Sequence, residues 1–185
     1  MLVSDCGFHS QDVYLLFPMS PLITEAIFQR LKAFTTEMVK RSAIDLGLTR
    51  FTIAVVSSDD KIVIDNINSS KDLLLTQLES LKFQPTPVNT SLDVIITYLG
   101  DFLDSQKDRD VYKMVYLLVD PTHDMSPTAA VEMVDTYRSM VHLHLDVLGV
   151  GVKSSPLSKH VIYVPSYDVI DVMTSLLFRD NKCGE

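Results

Sequence analysis

Gln11-Asp12-Val13-Tyr14-Leu15-Leu16-Phe17-Pro18-Met19-Ser20-Pro21 carries an uninterrupted apolar run, Val13 to Phe17, and ends in a loop with no acid, glycine, lysine or histidine. A run that is apolar at every position, rather than at alternate ones, is the pattern of a strand buried on both faces of a parallel sheet. In an open α/β sheet the loop after such a strand lies where ligands bind. What this loop lacks therefore bears directly on function.

Further runs rich in valine, isoleucine and tyrosine read as strands: Phe51 to Val56, Met114 to Val119, Leu143 to Val152 and Val161 to Val164. Lys61 to Asp65 follows Phe51 to Val56 across the turn-rich Ser57-Ser58-Asp59-Asp60, which predicts an antiparallel hairpin at the sheet edge. Between the strands the period changes. Ile23, Ile27, Leu31, Phe34 and Met38 share one helical face, with Gly47 as the stop. Ser69-Ser70-Lys71-Asp72 resembles a capping box before Leu74, Leu78 and Leu81, and Pro85 closes that segment. Thr90 or Ser91 caps a helix over Leu92 to Leu103, Ser126-Pro127 opens one over Thr128 to Met140, and Ser166 or Asp168 opens Val169 to Phe178. The order predicts a doubly wound, Rossmann-like α/β fold. Its sheet is six-stranded and mostly parallel, with one antiparallel edge strand and helices on both faces.

The 185 residues suit a single domain, with a core from about 11 to 179 and cysteine-bearing flanks. Apolar residues make up 46% and charged residues 22%, a globular rather than a disordered composition. No apolar stretch reaches the roughly 18 residues that span a bilayer, so membrane insertion is not expected. A net charge of -8 disfavours nucleic acid, whose phosphates need clustered lysine and arginine. The first residues carry no basic segment followed by an apolar stretch, which is expected of a cytosolic chain or of the mature part of an exported one. The two cysteines, Cys6 and Cys183, flank the first and last periodic elements. Chain ends of compact domains often lie close, which leaves open a bridge worth about 5 kcal/mol, or two unrelated exposed thiols. Two sequons, Asn68-Ser69-Ser70 and Asn89-Thr90-Ser91, are glycosylation candidates that point to the same exported setting as a bridge.

Element order and particular residues together resemble the von Willebrand factor type A (VWA) domain. Gln11 to Phe17 is similar to its opening strand, Thr52-Ile53-Ala54-Val55-Val56 and Lys61-Ile62-Val63-Ile64 to its second and edge strands, and Pro87-Val88-Asn89-Thr90-Ser91 to its threonine loop. Val115 to Asp120 resembles its central strand with a terminal aspartate, Asp146 to Gly151 its penultimate strand, and Tyr167-Asp168-Val169-Ile170 the start of its last helix. The resemblance covers residues 6 to 183, including flanking cysteines that many extracellular members bridge. It implies a metal-ion-dependent adhesion site whose first part is a D-x-S-x-S loop. Those positions fall at Pro18, Ser20 and Leu22, or one residue earlier at Phe17, Met19 and Pro21. Neither register supplies an acid. The threonine ligand falls at Val88 or Thr90, and the second aspartate is Asp120. A hard cation such as Mg²⁺ takes about six oxygens, carboxylates usually among them. Ser20, Thr90 and Asp120 are therefore remnant positions of a degenerate site. No cofactor is expected, and Pro18, Met19, Pro21 and Leu22 are expected to form a hydrophobic lip in its place.

Other chemistry is thin. Asp120-Pro121-Thr122-His123-Asp124 reads as a solvated loop capping the following helix, because no second ligand cluster completes a site. His142 and His144 face one side of a strand without a third ligand and read as core or edge histidines. Gly149-x-Gly151 lacks the third glycine of a dinucleotide fingerprint, and neither a phosphate-binding G-x-x-x-x-G-K-[ST] nor a G-x-S-x-G elbow occurs. The expectation is a non-enzymatic, secreted interaction module of a matrix or adhesion protein. Its binding residues would be Pro18, Met19, Ser20, Pro21 and Asp120, and its partners matrix proteins, collagens or other VWA domains. The alternatives are a cation-dependent adhesion domain completed by its ligand, an intracellular VWA-like scaffold with free thiols, or an unrecognised α/β hydrolase. If the cysteines are bridged, Cys183→Ser should lower the melting temperature and unreduced protein should show no reactive thiol. Two reactive thiols would refute the bridge.

Overall fold

A computed structural model describes residues 11–57, 61–65, 70–105, 111–123, 143–155 and 161–174. The elements are β1 (Gln11–Pro18), α1 (Glu25–Arg41), β2 (Thr49–Val56), β3 (Lys61–Asp65), α2 (Lys71–Ser80), α3 (Leu92–Ser105), β4 (Tyr112–Val119), β5 (Leu143–Val150), β6 (Val161–Val164) and a 3-10 helix (Tyr167–Met173). They form one sheet in the order β3-β2-β1-β4-β5-β6. All neighbours run parallel except β2 and β3, which pair antiparallel. The chain leaves β1 towards β2, then returns to place β4 on the other side of β1. The ends of β1 and β4 therefore flank a topological switch point, where an open sheet leaves a crevice.

The unbroken apolar run of β1 has the predicted cause. Val13, Leu15 and Phe17 face a core shared with α1, α2 and the 3-10 helix, while Tyr14 and Leu16 face a second core shared with α3. Both faces of the strand are covered, so no position tolerates a polar side chain without a partner. Of the helical face read from the sequence, Leu31, Phe34 and Met38 are buried in α1, Ile27 is partly buried and Ile23 lies buried just before the helix, while Phe28 joins the buried face. Thr24 caps α1 by accepting from the Ile27 N–H at 3.3 Å, and Ser70 caps α2 by accepting from Leu73 N–H at 3.3 Å. The two helices also close each other's C-terminal ends. Lys32 Nζ donates to the carbonyls of Glu79 (2.8 Å) and Leu81 (2.9 Å), and Lys71 Nζ donates to that of Lys40 (3.2 Å).

Several boundaries differ from the sequence reading. β4 begins two residues early at Tyr112, and β5 stops at Val150 because Gly151 turns the chain at φ +70°. α1 stops at Arg41, where extended Ser42 directs its hydroxyl to the Met38 carbonyl at 2.7 Å, and Gly47 closes a later turn at φ +69°. The predicted last helix, Val169 to Phe178, is in its described part a 3-10 helix that starts at Tyr167. Arg30 Nη1 donates to the Asp168 carbonyl at 2.9 Å, which occupies an acceptor that an α-helix would need. The β-branched Val169, Ile170 and Val172 weaken the α-helical alternative further. The predicted helix Thr128 to Met140, together with Asn68, Cys6, Cys183 and His142, lies outside the described residues. Among the described residues no helix is long and apolar enough to cross a membrane.

The turn after β5 is tight. A Cβ on Gly149 would lie 2.3 Å from the Val152 carbonyl oxygen and 3.0 Å from Val161 Cγ1. Gly149→Ala should therefore cost about 2 kcal/mol in urea unfolding, as overpacking against backbone does. A cost near zero would mean that this turn relaxes freely.

Candidate functional site

The crevice at the switch point is occupied by the protein itself. Asp120 follows β4 directly and is 0% exposed. Ser20, two residues past β1, donates its hydroxyl to Asp120 Oδ2 at 2.6 Å. Tyr167, the first residue of the 3-10 helix, donates its phenol to the same oxygen at 2.8 Å. Thr122 donates its backbone N–H to Oδ1 at 2.9 Å, and its hydroxyl donates there as well. His123 Nδ1 lies 3.1 Å from Oδ1 and 3.2 Å from the Asp120 backbone nitrogen. An Nδ1–H serves the carboxylate; a bare Nδ1 accepts the backbone N–H instead. His123 Nε2 is buried and has no hydrogen-bond partner among the described residues.

These contacts select the register of the β1 loop. Ser20 is the residue that reaches Asp120, so of the two registers the one through Pro18, Ser20 and Leu22 is in place, and Pro18 stands where the first acid would be. Thr90 is buried close by but serves a different purpose. Its Oγ1 lies 2.9 Å from the Met19 carbonyl and 3.1 Å from that of Val56, so its single proton is shared between strand ends rather than offered to Asp120. Asn89 is exposed, and its Nδ2 donates to the Thr122 carbonyl at 2.6 Å, tying the loop before α3 to the loop after β4.

Two expectations need correction. Met19 does not contribute to an exposed lip: it is 3% exposed and borders the same apolar gap as Phe28 and Leu31. The chain turns inward at Met19 because its amide donates to the Val56 carbonyl at 2.8 Å and its carbonyl accepts from Thr90. Pro18 and Ser20 are buried too, which leaves Pro21 and Leu22, the latter 45% exposed. Nor is the segment after Asp120 merely a solvated cap, since His123 is buried and Thr122 folds back onto the carboxylate. Tyr167 is a contributor that the sequence reading did not assign. Its position at the head of the last element was visible, but nothing local says that its hydroxyl travels to Asp120. At the opposite end of β5, His144 Nε2 lies 2.9 Å from Asp146 Oδ1, a part-buried pair away from the crevice.

Burial by itself pushes the Asp120 carboxyl up. The hydrogen bonds from His123, Ser20, Thr122 and Tyr167 outweigh that and hold it well below the usual carboxylate range. The same arrangement pushes the Tyr167 phenol far up, through burial first and then through the neighbouring negative charge. Asp120 is thus ionised, and both of its oxygens already accept from protein donors. This donor set does not fit a hard divalent cation. Among the described residues no group of three His, Cys, Asp or Glu side chains converges, and the Ser20 hydroxyl points its proton, not a lone pair, at the carboxylate.

No protein-family model matches the sequence, and no curated protein does. Solved structures match the fold. Proximal thread matrix protein 1 from the mussel byssus, crystal form 2, superimposes with a TM-score of 0.74 at 14% identity, over 91% of this chain and 47% of that one. The same mussel protein has been solved with a zinc-occupied MIDAS motif. Manganese-loaded TRAP protein of Plasmodium vivax gives a TM-score of 0.61 at 15% identity, over 90% of this chain and 72% of that one. An aerotolerance-related membrane protein of Bacteroides fragilis gives 0.63 at 12% identity, over 92% and 98%. The fold is VWA-like. The chain spans about half the length of the mussel protein it matches.

An ionised carboxylate with a depressed pKa stabilises the native state fully above its unfolded pKa of 3.8, and that contribution is lost as pH falls below it. The stability difference between the wild type and Asp120→Asn, from urea titrations, should therefore narrow by on the order of 1 kcal/mol between about pH 4 and pH 2.5. A difference independent of pH would show that Asp120 is not held ionised.

Proposed function

We propose that this chain is a single non-enzymatic domain of a larger extracellular matrix or adhesion protein, and that it binds other proteins through the C-terminal edge of its sheet without a bridging cation. The observation that carries this reading is the sealed carboxylate. In a cation-bridged contact, the central aspartate needs a metal that a partner's acid can share. Here both oxygens of Asp120 accept hydrogen bonds, from Ser20 and Tyr167 on one and Thr122 on the other. Among the described residues, the exposed apolar side chains of this edge are Pro21 and Leu22 on the loop after β1, and Pro87 and Val88, the latter 57% exposed, on the loop before α3. The two loops are joined through Thr90, whose N–H donates to the Met19 carbonyl at 3.2 Å.

Likeness to a mussel thread matrix protein supports a matrix setting, and the manganese-loaded parasite protein represents the cation-dependent alternative. Matrix proteins, collagens and further copies of the same domain are the partners this reading predicts. A Cys6–Cys183 bridge and glycans on Asn68 or Asn89 belong to the same extracellular reading. Within it, Pro18, Met19, Ser20 and Asp120 support the surface from below, and Pro21 and Leu22 make the contact.

The test is surface binding of the purified chain to collagens, to other matrix proteins and to itself, in chelator and in Mg²⁺. Binding should persist in chelator, and Leu22→Asp or Val88→Asp should weaken it at least about tenfold, as charge placed in an apolar contact does. Binding that vanishes in chelator and returns with Mg²⁺ would transfer the function to the cation-dependent alternative. Full-strength binding by both variants would exclude this edge.

A further inference from the structure

A carboxylate buried at this depth needs compensation. Isolated charges removed from water are costly, and proteins meet that cost with a counter-charge or with several directed hydrogen bonds. Around Asp120 the second solution is complete, and its donors come from three separate parts of the chain. Ser20 arrives from the loop after β1, Thr122 and His123 from the loop after β4, and Tyr167 from the element after β6. Ser20 and Tyr167 converge on a single oxygen, Oδ2, at 2.6 and 2.8 Å. The element that carries Tyr167 is also held from outside. Arg30 of α1 donates to the Asp168 carbonyl at 2.9 Å and lies 3.5 Å from Asp171 Oδ2, while Ile170 and Met173 are buried in the core beneath α1.

We propose that the hydroxyls of Ser20 and Tyr167 take the place of a cation at Asp120, so that the aspartate is a structural anion that assembles the binding edge rather than a ligand waiting for a metal. Tyr167 is the decisive partner, because among the described residues it is the one that brings the last element into the cage. This goes beyond the reading of the domain as a metal-independent binder: it assigns Asp120 a stabilising role, whether or not the edge binds protein.

The two roles predict opposite signs for one measurement. In an empty cation site the acid is uncompensated, so neutralising it leaves the metal-free protein as stable as before or more stable. In a hydroxyl cage the acid is the acceptor of charge-assisted bonds, which are about twice as strong as neutral ones, so neutralising it destabilises. The experiment is thermal unfolding of the full chain in chelator and in millimolar Mn²⁺, for the wild type, Asp120→Asn, Tyr167→Phe and an Ile170→Val control on the same element. Asp120→Asn and Tyr167→Phe should each melt lower in chelator, Tyr167→Phe by roughly 5 °C, the size expected for losing one hydrogen bond to a charged group. Mn²⁺ should leave the wild type within about 1 °C, since a ligand bound to the native state would raise its melting temperature. Ile170→Val should show only a modest loss, so that the Tyr167→Phe effect is not that of any change in the element.

An Asp120→Asn protein that melts at or above the wild type in chelator would overturn the proposal, as would a wild type stabilised by Mn²⁺. If Asp120→Asn does not fold, Tyr167→Phe decides alone, and a melting temperature equal to that of the wild type would refute the cage. Loss of partner binding with these melting results intact would count against the functional reading and leave the structural anion in place.

Discussion

The buried charge of Asp120 is the constraint around which this edge of the molecule is arranged. An ionised carboxylate removed from water costs several kcal/mol unless directed donors surround it. Meeting that requirement calls for groups from the loop after β1, the loop after β4 and the element after β6 at once. Each of those segments is consequently fixed relative to the other two. Thr90 and Asn89 extend the same network outward, holding the loop before α3 against the ends of β1 and β2 and against the Thr122 carbonyl. The result is a polar, hydrogen-bonded interior beneath the exposed Pro21, Leu22, Pro87 and Val88.

The topology explains why the charge sits there. With strand order β3-β2-β1-β4-β5-β6, the connections leaving β1 and β4 go to opposite sides, and a switch point of this kind is where an open sheet leaves a crevice. A fold of this kind offers the position to whatever chemistry its loops carry. In the mussel protein solved with an occupied MIDAS motif the occupant is zinc. Here Pro18 stands where an acid would be required, and hydroxyls occupy the approach to the remaining carboxylate. A shared fold leaves function to individual side chains.

Much of the architecture was legible along the chain. Val13 to Phe17 announced a doubly covered strand, and both cores confirm it. Ile23 to Met38 announced an amphipathic helix, and Leu31, Phe34 and Met38 of the predicted face are buried in it. The site was half legible. Ser20, Thr90 and Asp120 were identified, yet only two of them meet, because the Thr90 hydroxyl is drawn to backbone carbonyls within reach. Met19 misled: its place in the loop after β1 put it in an apolar lip, and it is buried because the Val56 carbonyl holds its amide. His123 misled for a similar reason: a histidine in a polar pentapeptide gives no local sign that it will fold back and be buried. The last helix is 3-10 in its described part, where Arg30, from an element far away in sequence, donates to the Asp168 carbonyl.

The chain's own residues determined the α/β class, the covered strands and the missing first acid, since these follow from periodicity and residue type within a few positions of one another. Which groups stabilise the charge of Asp120 was decided only by tertiary structure. A hydrogen bond is directional and short, and its donors here lie 100 residues away at Ser20 and 47 away at Tyr167. No local pattern encodes a meeting at that separation. It exists because the sheet brings three strand ends to one point, and because a buried charge at that point accepts no looser arrangement.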